Sequence, residues 1–231
     1  PDISYYLSNS NFTKGLDEFI NLKRTDMLNE DNFSRCFKKV NEYIHFMTSN
    51  DCFDMDGGDI ISLRKYLAKE YPLTIVDTVS ANNRTTEEFL GISNAIVVVL
   101  NQDKKRIDDL TRFNKLYEHK DKVVFVVNRF IEAFNNRKMQ YTDSDIEKDI
   151  RGLGFSDNKV FKLDFDIDII NDCNDLSILN YVLSSKETSY LNQLKELSSF
   201  LLNQYGKYNI KDSENKKKRG FFNGRINFLS F

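Results

Sequence analysis

Three apolar runs constrain this chain most: Leu73-Thr74-Ile75-Val76-Asp77-Thr78, which ends in an acid, then Ala95 to Leu100, then Val123 to Asn128. Polar stretches with helical spacing separate them. Runs of this kind are typical of parallel strands buried on both faces, and such sheets gather their working groups at the carboxyl ends of the strands. Asp77 and Asn128 are therefore the first candidates for chemistry, and Ile75, Val97 and Val126 are expected on central strands. None of the nine glycines begins a Gly-Lys-Ser/Thr sequence, so the chain offers no loop of that type to cradle phosphates.

The 231 residues suffice for one sizeable α/β core, or a core and an appendage. One main domain is expected over 1–205, with a tail over 206–231. Lys+Arg 33 against Asp+Glu 35 gives a net charge of -2, so the whole molecule has no basic bias towards nucleic acid. Cys36, Cys52 and Cys173 are too few and too scattered for a disulfide framework or a paired-cysteine zinc site, and are expected as reduced thiols. No run approaches the ~20 apolar residues that span a bilayer, and the start lacks a basic-then-apolar signal pattern. The expected location is cytoplasmic.

Helical spacing marks Gly15 to Ile20 and Phe33 to Met47, the latter through Phe33, Phe37, Val40, Ile44 and Met47. Asp51, Asp54, Asp56 and Asp59 lie in a polar turn. Its spacing departs from a calcium loop, which favours a helix-capping turn. A helix through Ile60, Leu63 and Leu67 then leads to the strand at Leu73. Further helices are expected over Thr85 to Gly91, Asp103 to Tyr117, Thr142 to Leu153 (opening on Thr142-Asp143-Ser144-Asp145, an N-cap cluster) and Leu176 to Tyr205, with a short strand from Val160 to Leu163 ending at Asp164. Strands alternating with helices give an α/β fold with a doubly wound, mainly parallel sheet.

The segments Tyr71 to Thr78, Ile92 to Val99 and Val123 to Phe130, in that order and spacing, resemble the MinD/ParA class of deviant P-loop ATPases. The later Thr142 to Glu147 and Lys162-Leu163-Asp164 segments are closest to its CpaE/TadZ branch. The resemblance covers roughly residues 1 to 205 and implies a P-loop NTPase-like fold whose N-terminal strands are missing here. By it, the first strand, the P-loop with its lysines, the first helix and the second strand lie upstream of Pro1. It assigns Asp77 to the magnesium site as the Walker B acid, Asn128 of the Asn128-Arg129 pair to the adenine, and Asp164 to the loop that closes over the base. The implied cofactors are ATP and Mg2+, held weakly or not at all by this chain because the phosphate loop is absent. The implied activity is that of a spatial-positioning ATPase acting as a homodimer at a membrane or pole, with hydrolysis conditional on an upstream P-loop.

Simpler roles remain open beside these. Asp77 could cap the next helix and Asn128 could be an ordinary turn residue. A receiver domain would use Asp77 as phosphoacceptor but needs an early acid pair, and a Lys where Asn128-Arg129 stands. A guanine-specific GTPase would need Asn-Lys-x-Asp after Val127. His45 and His119 stand alone, without the base and nucleophile arrangement of a hydrolase.

The tail is the second informative region. Lys216, Lys217, Lys218 and Arg219 precede a glycine-containing aromatic stretch. On a helix, Phe222, Ile226 and Leu229 would share one face, with Phe221 beside them. A basic cluster next to a short aromatic stripe suits an anionic membrane surface, and it resembles the membrane-targeting tail of MinD. Membrane contact is accordingly expected through Lys217, Lys218, Arg219, Phe221, Phe222, Ile226 and Leu229, at the inner face of the membrane. A packed tail, a partner-binding peptide and an RNA-binding segment are the alternatives. For the whole chain, the rivals to a positioning ATPase are a non-catalytic scaffold that keeps the fold and a plasmid-partition protein whose surface is DNA.

Overall fold

A computed structural model describes residues 6–7, 15–49, 55–78, 83–134, 137–184, 187–206 and 226–230, the last segment and residue 134 by backbone alone. The chain forms two compact units. One comprises Pro1–Phe89, Asp172–Asn180 and Lys218–Phe231, the other Leu90–Asn171 and Tyr181–Lys217.

In the first unit, α1 (Gly15–Arg24) has Asp17 and Glu18 in its first turn and Lys23 and Arg24 in its last, the arrangement a helix dipole favours. Leu16, Phe19 and Ile20 form its buried face. A short α2 (Glu30–Ser34) follows, capped by Asn29, whose side chain accepts from the Asn32 N–H. The helix expected from Phe33 to Met47 stops there. The Asn41 side-chain oxygen accepts from the N–H of both Tyr43 and Ile44 at 2.8 Å, an Asx turn that reverses the chain between β1 (Lys38–Lys39) and β2 (Ile44–Thr48). The five apolar positions thus belong to a helix, a turn and a strand that happen to fall on one helical period.

Asp56 then starts α3 (Gly57–Glu70) with a capping box, its carboxylate accepting from the Asp59 N–H at 2.7 Å. Ile60, Leu63 and Leu67 face the core. Pro72 forces Tyr71 out of the helical region, which ends α3 and releases β3 (Leu73–Asp77). The sheet of this unit has the order β1-β2-β9-β3, where β9 is Ile226–Ser230. β9 runs parallel to both neighbours, with Phe228 level with Phe46 and Ile75.

Helix α4 (Arg84–Ile92) carries the chain from the first unit into the second. The sheet there is wholly parallel, in the order β4 (Ile96–Leu100), β5 (Val123–Phe130), β8 (Val160–Asp164). One face of it joins Ile96, Leu100, Phe125 and Val127 to Ile107, Leu110, Leu116, Ile146 and Ile150. The expected helix from Asp103 to Tyr117 is broken into α5 (Lys104–Asp108), a 3-10 turn at Asp109–Arg112 and α6 (Asn114–Glu118). After β5, a small hairpin forms from β6 (Ala133–Phe134) and β7 (Arg137–Lys138). Thr142 caps α7 (Asp143–Gly152) through a capping box with Asp145, and hydrogen bonds from the Thr142 side chain and backbone hold the Asp145 carboxyl below its ordinary value.

Gly154, at φ +89, terminates α7 in a Schellman turn, its N–H on Arg151 O and the Phe155 N–H on Ile150 O. That turn places Phe155 in the core, ring centroids 5.2 Å from Phe125 and 5.0 Å from Tyr117. The opposite face of the sheet packs Val124, Val126 and Leu163 on Leu194, Leu197 and Leu201 of α10 (Ser189–Tyr205). The long helix expected over 176–205 is thus two, α9 (Ile178–Leu183) and α10, the latter capped by Thr188. Before them lies α8 (Ile167–Asn174).

The α/β class and the parallel pairing agree with the sequence. Of the three residues expected on central strands, Val126 is on one and buried, whereas Ile75 and Val97 lie on strands at the edges of the described sheets and are 43% and 40% exposed. An apolar run records strand propensity and cannot count a strand's neighbours.

Candidate functional site

In the second unit, the carboxyl ends of β5 and β8 bring together three of the expected site residues. Val127 is level with Lys162 and Phe130 with Asp164, so β5 holds one residue more than β8 across this interval. The excess is a β-bulge at Asn128-Arg129, a device that turns side chains out of the regular alternation. Arg129 adopts φ 56, a left-handed conformation unfavourable to a residue with a Cβ, and the Asn128 side-chain oxygen accepts from its N–H at 3.0 Å. Arg129 is exposed and Asn128 half-buried. Lys162 Nζ sits 5.5 Å from the Phe130 ring centroid and 2.6 Å from Asp143 Oδ2, a pair that fixes the start of α7 beside the strand ends.

The segment after β8 alternates acid and apolar residues from Asp164 to Asp168. Asp164 turns towards α10 and Asp166 towards Tyr181 of α9. Asp164 accepts from the Ser189 hydroxyl at 2.5 Å, and its N–H donates to Gln193 Oε1 at 2.8 Å. Asp166 accepts from the Tyr181 hydroxyl at 2.6 Å and from the Asp168 N–H at 2.9 Å. Burial raises the Asp166 carboxyl, but the bonds from Tyr181, Asp168, Ile169 and Thr188 outweigh it and hold the group below the ordinary range. Phe165 and Ile167, in between, are 44% and 56% exposed. The Phe165 N–H donates to Phe130 O, which ties this loop to the bulged strand. Gln102, just beyond β4, donates to Tyr141 O at 2.7 Å and accepts from the Ile131 N–H at 3.0 Å, bracing the chain on both sides of the hairpin.

Chemically, this sheet end offers an amide, a guanidinium and two exposed apolar side chains on a braced frame. Such a set can hydrogen-bond the edges of a planar heterocycle and pack against its face. Sequence reasoning missed Phe165, Ile167, Gln102 and the Ser189–Gln193 partners of Asp164. The alternation from Asp164 to Asp168 was the available signal.

Asp77 belongs to the first unit, at the carboxyl end of β3, exposed and level with Ser230 of β9. The turn that contained the clustered aspartates supplies the cap of α3 at Asp56, and hydrogen bonds from the backbone of Asp59 hold that carboxyl low. Among the described residues no group of three His, Cys, Asp or Glu is placed to hold a metal ion. Lys217, Lys218, Arg219, Phe221 and Phe222 lie outside the described residues. Ile226 and Leu229 do not lie on a helix: their backbone is the strand β9, paired on both sides. No helix among the described residues is long and apolar enough to cross a membrane. No family model, curated protein or solved structure matches the chain.

Proposed function

We propose that this chain is the base-binding part of a MinD/ParA-like positioning ATPase of the CpaE/TadZ type, which acts on nucleotide only together with a phosphate loop that residues 1–231 do not contain. The observation that carries the proposal is the bulge at the end of β5. A parallel sheet bulged at Asn128-Arg129 at its carboxyl end, with the exposed Phe165 tied to that strand through Phe130 O, offers donors and an apolar side chain of the kind an adenine needs. Asp77 would support Mg2+ once the phosphates are held, and the assembly would act as a nucleotide-dependent homodimer at an anionic membrane surface reached through Lys217 to Phe222. Binding energy available only in the dimer shifts the population towards it.

A non-catalytic scaffold is the second reading, favoured by Asp164, whose carboxylate is already taken by Ser189. The experiment is photo-crosslinking with an azido-adenine nucleotide on a chain extended upstream by a P-loop. Label is expected on peptides holding 128–131 and 164–167. Label confined to other peptides refutes the base site, and no label with the P-loop present favours the scaffold.

A further inference from the structure

Strands β2 and β3 are consecutive parallel strands joined by α3, yet they are not neighbours: the connection leaves one strand position open between them, and β9 fills it. All five residues of β9 are in register with β2 on one side and β3 on the other. In sequence β9 follows α10, which belongs to the other unit. The sequence Ile226-Asn227-Phe228-Leu229-Ser230 contains no charge.

The frame around this position is held by contacts that do not involve β9. The Phe33 ring of α2 meets Phe19 of α1 at 6.0 Å, Phe37 at 5.0 Å and Tyr66 of α3 at 4.9 Å. Phe37 meets Tyr71 at 5.2 Å, and Tyr71, at the entrance to β3, shares a 2.9 Å hydrogen bond with the buried His45 of β2. Lys23 of α1 pairs with Asp59 of α3 at 2.6 Å. These bonds tie β2 to the start of β3 by way of the helices, so the two strands have a means of staying about 10 Å apart, two strand spacings, when nothing lies between them.

We infer that the position between β2 and β3 is a strand-acceptor site, occupied in cis by Ile226–Ser230, whose ligand class is an extended, uncharged, apolar peptide running parallel to both strands. Affinity comes from main-chain hydrogen bonds on two edges at once, which is strand addition doubled. A charged residue in the run is disfavoured because the flanking β2 positions Phe46, Met47 and Thr48 are buried.

The test uses the full chain with a specific protease site inserted between Asn215 and Lys216. After cleavage, native mass spectrometry and gel filtration follow the released peptide, and anisotropy follows a fluorescent peptide of residues 225–231. The cut peptide is expected to stay bound at micromolar protein and to be displaced by excess synthetic peptide, while a Phe228→Pro peptide binds at least tenfold more weakly because it lacks a ladder N–H. In the uncut chain, amides of 226–230 should exchange hydrogen faster than those of Val124 to Val127. Three results overturn the inference: a cut peptide that cannot be exchanged or whose loss unfolds the chain, equal binding of the Phe228→Pro peptide, or no binding of the synthetic peptide to a folded, cut chain.

Discussion

Replacing Tyr181 by Phe isolates one hydrogen bond without opening a cavity, since the ring is 3% exposed and the change removes only its hydroxyl. That hydroxyl donates to Asp166 at 2.6 Å and lies 3.2 Å from Thr188 Oγ1, the cap of α10. A buried hydrogen bond to a charged partner contributes about 1.5–3 kcal/mol. Here the carboxylate is only half-buried, and solvent screening places the expected loss at the lower end, about 1–1.5 kcal/mol at pH 7. The sign with pH follows from the direction of the shift. Asp166 titrates below the ordinary aspartate range in the folded chain, so its contribution is complete above the unfolded value and is lost as pH falls through the folded one. Urea unfolding of Tyr181→Phe and the unaltered chain should therefore differ most near neutrality and converge below about pH 3. A difference that persists undiminished in acid, or none at pH 7, would show that the Asp166 charge is not what Tyr181 serves.

Three further outcomes are expected. Phe155→Ala should cost about 3–5 kcal/mol in thermal or urea unfolding, since it empties a fully buried site between Phe125 and Tyr117; a loss under 1 kcal/mol would mean that the site collapses freely. Burial pushes the Cys36 thiol up to about 12, so at pH 8 a thiol reagent should modify Cys173 in the folded chain and reach Cys36 only on unfolding, as peptide mapping would show. Calorimetry should find no tight binding of Mg2+-ATP to residues 1–231, and in a chain extended by a P-loop Asp77→Ala should reduce hydrolysis more than nucleotide binding; micromolar binding by the present chain would mean that the phosphate site has been misplaced.

The sequence made the α/β class legible because Val123 to Val127 is an unbroken apolar run, and such runs fix strands whatever surrounds them. Capping chemistry was equally legible: Thr142 with Asp145, and Asp56 with Asp59, are local pairs whose geometry depends on four residues. Periodicity failed where it crossed a reversal. Phe33 to Met47 keeps a helical spacing although Asn41 turns the chain, because hydrophobic positions carry no mark of a side chain that captures two backbone N–H groups. At the candidate site, Asn128 was singled out from its place at a strand end, and Arg129 and Asp164 came with the family resemblance. The bulge was not legible, since it exists only in the pairing of β5 with a strand some thirty residues on. The tail misled for a similar reason: Ile226 and Leu229 share a helical face on paper, and their partners, Ile44 and Leu73 for the first and Met47 and Val76 for the second, are too distant in sequence for any local pattern to announce.

Pairing over that distance sets a timetable. A ribosome delivers β2, α3 and β3 early, then the whole second unit, and only afterwards the five residues that lie between β2 and β3. At about 5–20 residues per second, the first unit waits on the order of ten seconds for its inner strand, with two unpaired edges in the meantime. Damage therefore travels backwards along the gene. A premature stop anywhere in 207–225 leaves every residue of the N-terminal segment intact and still deprives Phe46 and Ile75 of the strand between them.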